Sequence, residues 1–264
     1  MTHDATGGPQ RFVLAHGSTQ TSRSWNTFGG LLRAELVDIE VVAVDRPGHG
    51  DAPPPVDSDL WTSADRLVDG GGNGTYVGYS MGGRVSLHAA LSHPDEVERL
   101  VLIGATAGID DPAERLARRD ADERLAHHIE AVGVPTFIDE WLANPLFAGL
   151  DDDTAMRDDR LRNTAAGLAA SLRSTGTGTQ TPLWDRLHEI ECPVLVLVGE
   201  HDTKFSELGQ RLLAGLPDAE LVVVEDAGHS VHLEQPHATV GAIAAWSRGT
   251  RGSCASIATQ RDRW

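Results

Sequence analysis

Cysteine is scarce: Cys192 and Cys254 are the only two in 264 residues. Two thiols make no disulfide framework and their spacing matches no zinc site, so plain thiols of a reducing cytoplasm are expected. Long apolar runs are missing too. None approaches the roughly 18 residues that a membrane-spanning helix needs. Residues 1–10 hold no charged-then-apolar leader, so no secretory signal is expected and a cytoplasmic location is. Positive charge is in deficit, with 22 Lys and Arg against 39 Asp and Glu and a net charge of −17. That balance argues against nucleic acid and against anionic membrane surfaces as partners. No internal repeat is present, and no cofactor or metal is expected.

What is present suits one large α/β domain or two small ones with a sizeable core. Hydrophobic residues make up 40% and charged residues 23%, ordinary for a globular chain. Short apolar runs at 11–15, 40–44, 75–79, 99–103, 193–198 and 220–224 predict buried strands. Helical spacing predicts helices over 25–36, 60–68, 84–92, 205–216 and 236–248, with a flexible glycine run at 70–74. From Gly108 to Trp184 no apolar strand interrupts helical segments at 112–132, 135–143, 153–162 and 164–174. Strand–helix alternation broken once by a helical block predicts a doubly wound, mostly parallel sheet with an inserted cap. The expected division is a core of 1–107 and 186–248, a helical cap of 108–185, and a disordered tail of 249–264.

In open α/β sheets ligands bind beyond the carboxyl ends of the strands. The residues just after the strands are therefore the candidates. Gly78-Tyr79-Ser80-Met81-Gly82 is a G-x-S-x-G turn between a strand and a helix, the kind of turn that lifts a serine hydroxyl above a sheet. Asp202 and His229 follow two later strands. The order Ser…Asp…His is that of the α/β-hydrolase fold. A serine hydroxyl is nearly inert until a base takes its proton. His229 can be that base, with Asp202 holding the imidazole in the right tautomer. The backbone N–H groups of Met81 and Ser18 are the expected oxyanion donors. Glu225 and Asp226 are weaker candidates for the acid partner. His49 is expected to stabilise its own loop, and His232 and His237 to lie at the surface or at a helix start. His127 and His128 lack the carboxylates for a metal site.

Arg84 lies one helical turn after Ser80, and Arg115, Arg118, Arg119 and Arg162 lie in the cap. An arginine set around one serine in an acidic protein points to a small-molecule substrate with more than one carboxylate.

These residues resemble the 2-succinyl-6-hydroxy-2,4-cyclohexadiene-1-carboxylate synthases of menaquinone biosynthesis. The likeness rests on His16-Gly17, Asp45-x-Pro-Gly-His-Gly50, Gly78 to Arg84, Glu114 to Arg118, Trp141-x4-Leu-Phe147, Leu161 to Thr164, Gly199 to Phe205, and Ala227-Gly-His229 with Glu234-x-Pro236. Ser18 departs from it, standing where a bulky apolar residue is usual. The resemblance implies a lyase that removes a proton and eliminates pyruvate from a cyclohexene bearing a succinyl arm and an enolpyruvyl ether. It carries Ser80, Asp202 and His229 over as the triad, Arg84, Arg118 and Arg162 as carboxylate binders, and Tyr79 and Trp141 as pocket walls. The alternatives are a carboxylic-ester or carbon–carbon serine hydrolase on the same triad, and a non-catalytic binding module.

Overall fold

Six parallel strands form the sheet: β1 (Gln10–Ala15), β2 (Ile39–Val44), β3 (Gly74–Tyr79), β4 (Val97–Ile103), β5 (Val194–Gly199) and β6 (Ala219–Val224). The computed structural model describes residues 8–54 and 58–258. The strand order is β2-β1-β3-β4-β5-β6. The order reverses between β1 and β3, which pair directly with Phe12 beside Thr75 and Ala15 beside Gly78. That reversal opens a crevice at the carboxyl ends of these two strands.

Strands β4 and β5 are near-continuous Val/Leu/Ile runs because both faces of the sheet are covered there. Along β1 the side chains alternate: Phe12 and Leu14 join one cluster with Trp25 and Phe28, while Val13 and Ala15 join the other with Leu67 and Leu87. The covering helices are α1 (Asn26–Glu35), α2 (Leu60–Gly71), α3 (Met81–Ser92), α7 (Thr203–Gly215) and α9 (Pro236–Ala258). Between β4 and β5 run α4 (Pro112–Leu142), α5 (Arg157–Arg160) and α6 (Ala165–Thr175), with a small core of their own around Ile129, Phe137, Ile138 and Leu168. A short α8 (Val231–Glu234) precedes α9. No described helix is long and apolar enough to cross a membrane.

Four segments differ from the sequence expectation. Helix α2 runs on through Gly70 and Gly71 into the supposed flexible run, because Gly71 packs so closely on Val13 that a Cβ would collide with it. The segments 112–132 and 135–143 join in α4, broken only at Gly133, whose φ of 76° precedes Pro135. The segment 153–162 holds only the four residues of α5, since Met156 sits in the left-handed region at φ 53° and starts the helix late. Helix α9 continues to Ala258, past the boundary at 248, as propagating an existing helix costs little. Residues 1–7, within the stretch where no leader is expected, residues 55–57, and residues 259–264 of the expected tail lie outside the described residues.

Candidate active site

Ser80 follows β3 at φ 52° and ψ −110°, a strained turn that leads directly into α3. Its neighbours explain the two glycines. A Cβ at Gly78 would lie 2.6 Å from the Gly83 Cα, and one at Gly82 would run into the Ala15 carbonyl of β1. Met81 opens α3, so its N–H has no carbonyl one turn back to bond.

His229 sits in the loop after β6. Its Nδ1 is 2.7 Å from an Asp202 carboxylate oxygen, and its Nε2 is 3.2 Å from the Ser80 Oγ. With Nδ1–H donating to Asp202, Nε2 is left to accept the Ser80 proton. Asp202 also caps α7, its other oxygen accepting the Phe205 N–H at 3.2 Å. The carboxylate is thus fixed by a helix terminus as well as by the imidazole. Glu234 holds the histidine loop from the far side, accepting the N–H groups of Gly228 at 2.6 Å and Ser230 at 2.9 Å. Asp226 lies instead on the exposed surface beside His201.

The loop after β1 carries Ser18 to the same place. His16 is buried, accepts the Arg46 N–H at Nε2, and donates Nδ1–H to the Gly17 carbonyl. Burial, reinforced by Arg46, lowers its pKa to about 3, so it is neutral and structural. Arg46 clamps this loop: its Nε donates to the His16 carbonyl at 3.1 Å, and one Nη lies 2.8 Å from the Met81 sulfur. Gly17 is required because a Cβ there would enter the Tyr79 ring. His49 is buried and packs its ring 5.1 Å from that of His16.

A cavity of about 190 Å3 lies over Ser80. Ser18, Tyr79, Ser80, Met81, Arg84, Arg118, Trp141 and His229 line it, so all but two of the expected site residues meet there. Asp202 stands behind His229. The other exception is Arg162, which points away and pairs with both carboxylate oxygens of Asp51 at 3.1 Å. Arg160 takes its place in the wall. Arg160 closes α5 and Arg162 lies in the turn just beyond it, so the two side chains leave in different directions, one into the cavity wall and one to Asp51.

The electrostatics of the wall are unusual. Arg84 and Arg160 are buried at 4% and 1% exposure. Their hydrogen-bond partners are neutral: Gln180 Oε1 for Arg84, and the Ala155 and Ser18 carbonyls and the Thr19 hydroxyl for Arg160. One Nη of Arg160 and the Trp141 indole N–H are buried without a partner. Burial and then Arg118 lower the Arg84 pKa to about 10, and burial and then Arg84 lower that of Arg46 to about 9. Arg118 is the exception, donating to Asp122 at 2.7 Å. Tyr79 is kept protonated by burial, and its hydroxyl lies 2.8 Å from the Ser230 Oγ.

His232 lies at the start of α8, one of its two expected places, but not at the surface. It is buried against Trp25 and Tyr79, with ring centres 4.5 and 4.3 Å away. His237 is exposed. His127 and His128 pair with Glu123 and Glu140 on an exposed face. Glu200, His201 and Asp226 form an exposed trio with ligand-type atoms within 4.8 Å of one another, and none of them lines the cavity.

Sequence reasoning missed Arg46, Arg160 and Gln180. Arg46 lay inside a noted motif, Asp45-x-Pro-Gly-His-Gly50, as its variable position. Arg160 and Gln180 carried no local signal.

A family model described as "Alpha/beta hydrolase family" matches residues 12–242. The 2-succinyl-6-hydroxy-2,4-cyclohexadiene-1-carboxylate synthase of Enterobacter sp. (strain 638) is 31% identical over 245 residues, 88% of this chain and 89% of that protein. A Bacillus subtilis (strain 168) protein given the same name provisionally is 36% identical over 249 residues, 89% of each. The structure of MenH from S. aureus superposes with a TM-score of 0.84 at 27% identity, covering 95% of this chain and 97% of that one.

Proposed function

The chain belongs to the alpha/beta hydrolase family and, within it, to the 2-succinyl-6-hydroxy-2,4-cyclohexadiene-1-carboxylate synthases, and we propose that Ser80, His229 and Asp202 perform that reaction in the cavity over Ser80. The enzyme is a carbon–oxygen lyase of menaquinone biosynthesis. It eliminates pyruvate from 2-succinyl-5-enolpyruvyl-6-hydroxy-3-cyclohexene-1-carboxylate.

Comparing substrate and product defines the work. A double bond at C3 becomes two, at C2 and C4, while C2 loses a proton and C5 loses its oxygen substituent. The C2 proton is acidic because the succinyl ketone is attached there. His229 takes the Ser80 proton and the serine oxygen takes the proton from C2. The released pair forms the C2–C3 double bond, the old double bond shifts to C4–C5, and the C5–oxygen bond breaks with its pair on the leaving enolpyruvate. Negative charge developing on the ketone oxygen meets the Ser18 and Met81 N–H groups. Asp202 holds the tautomer and balances the charged imidazole. Ser80 therefore acts as a base, and no water is consumed.

One observation carries this reading: Arg84 and Arg160 are buried beside Ser80 with neutral partners only. An uncompensated buried cation is costly, and a substrate carboxylate is the natural counter-ion. Arg160 replaces Arg162 as a binder, alongside Arg84, while Arg118 lines the cavity already paired with Asp122, and Tyr79 and the Trp141 indole N–H complete the wall. Helices α4 to α6 serve as the cap, since Arg118, Trp141 and Arg160 all come from them.

The test is to incubate the enzyme with the enolpyruvyl substrate and follow pyruvate with lactate dehydrogenase and NADH. Pyruvate should appear one for one with the cyclohexadiene. Release no faster than without enzyme overturns the reading.

A further inference from the structure

Lys204 is the only lysine in the chain, and the other 21 basic side chains are arginines. It lines the cavity over Ser80, two residues after Asp202. Its side chain is exposed, and its ammonium rests 5.8 Å from the centre of the Phe205 ring. Among the described residues it has no carboxylate or hydrogen-bond partner. It also stands in the first turn of α7, where a cation is disfavoured by the helix dipole. A positive charge stands here against its local setting.

The charges of the site leave a place for it. The substrate bears three carboxylates: one on the ring, one on the succinyl arm and one on the enolpyruvyl arm. Of the cavity's cations, Arg118 is already paired with Asp122. Arg84, Arg160 and Lys204 remain, three for three. The two arginines are buried and forked, suited to holding the part that stays. Lys204 is exposed and monodentate, and an ammonium is more strongly hydrated than a guanidinium. Such a group suits the carboxylate that must leave.

Resting on the lyase reading above, we propose that Lys204 binds the carboxylate of the enolpyruvyl arm and is the contact from which pyruvate departs. When the C5–oxygen bond breaks, its electron pair goes to the enolate oxygen. The enolate takes one proton at its methylene carbon from water and becomes pyruvate, and the hydroxide left is neutralised by the proton that His229 gives up, so no net water is consumed. Lys204 stays protonated and holds the carboxylate throughout.

Lys204→Met and Lys204→Arg test this in the full-length enzyme. With Lys204→Met, the inhibition constant for added pyruvate should rise about tenfold, the loss of one charge-assisted contact, while that for the cyclohexadiene product stays as in wild type. Lys204→Arg should restore pyruvate inhibition. In wild type, acetylation of Lys204 by an N-hydroxysuccinimide ester, read by peptide mass, should be slowed by pyruvate and not by an equal concentration of chloride. Unchanged pyruvate inhibition in Lys204→Met, or an equal loss for pyruvate and diene, overturns the assignment. A wild-type enzyme that released no pyruvate would instead remove the lyase reading itself.

Discussion

The buried guanidinium of Arg84 donates to the side-chain carbonyl of Gln180 at 3.2 Å, so the cation one turn after Ser80 has a neutral partner. Gln180 is itself 1% exposed, and its amide nitrogen has no partner. A carboxylate at 180 would neutralise Arg84 from within and compete with the substrate. Gln180→Glu, nearly isosteric, is expected to lower kcat/KM by about 10- to 100-fold through KM, without loss of thermal stability. Arg84→Ala is expected to cost about 100-fold or more. Steady-state pyruvate release with a melting curve checks both. A Gln180→Glu enzyme with wild-type KM contradicts the role given to Arg84.

Arg160 and Arg162 offer a sharper contrast. Arg160→Met removes a cation from the cavity wall and should lower kcat/KM by about 100-fold, whereas Arg162→Met breaks only a pair with the exposed Asp51 and should stay within about twofold. Arg160 also ties α5 to the Ser18 loop, so circular dichroism at the assay temperature must show both variants folded. Equal losses at the two positions would return the carboxylate-binding role to Arg162.

Four buried histidines set the acid stability, among them His49, whose pKa burial and then Arg46 hold well below the ordinary histidine value. Burial lowers the pKa of His16 to about 3, of His88 to about 4 and of His232 to about 3. Each is neutral in the folded chain at pH 5, while in the unfolded chain each protonates near 6.5. The unfolded state therefore binds more protons, and this stability is complete above pH 7 and declines as pH falls from 6.5 toward 4. Each group contributes a slope of about 1.4 kcal/mol per pH unit in that range. His88 donates Nδ1–H to the Arg84 carbonyl at 2.7 Å, so His88→Gln keeps a donor there and loses the titration. Urea midpoints at pH 7, 6 and 5 should fall less steeply for His88→Gln by about one proton. Parallel slopes for wild type and variant contradict it.

What the sequence made legible follows from local chemistry. Ser80, Asp202 and His229 stand at strand ends, and strands this apolar are hard to mistake. The turn at Ser80 needs glycine at fixed offsets, so it shows in a short string. The cap is harder. Arg160 and Arg162 differ only in which faces inward, and that depends on Met156 adopting a left-handed backbone that delays α5. Gly70 and Gly71 look like a flexible run because their helical state is held by contact with a distant strand rather than by propensity. Gln180 and Arg46 act through partners nearly 100 and 30 residues away. Nothing local marks them.

The central claim is that Ser80 takes a proton from carbon and never bonds to it. Rapid-quench intact-mass measurement during turnover tests this directly. With the enolpyruvyl substrate in excess, the chain should keep its unmodified mass at every time point while pyruvate accumulates linearly from the first turnover. A transient mass increase located to the peptide carrying Ser80, accompanied by a burst of product, would show nucleophilic attack and make the enzyme a serine hydrolase.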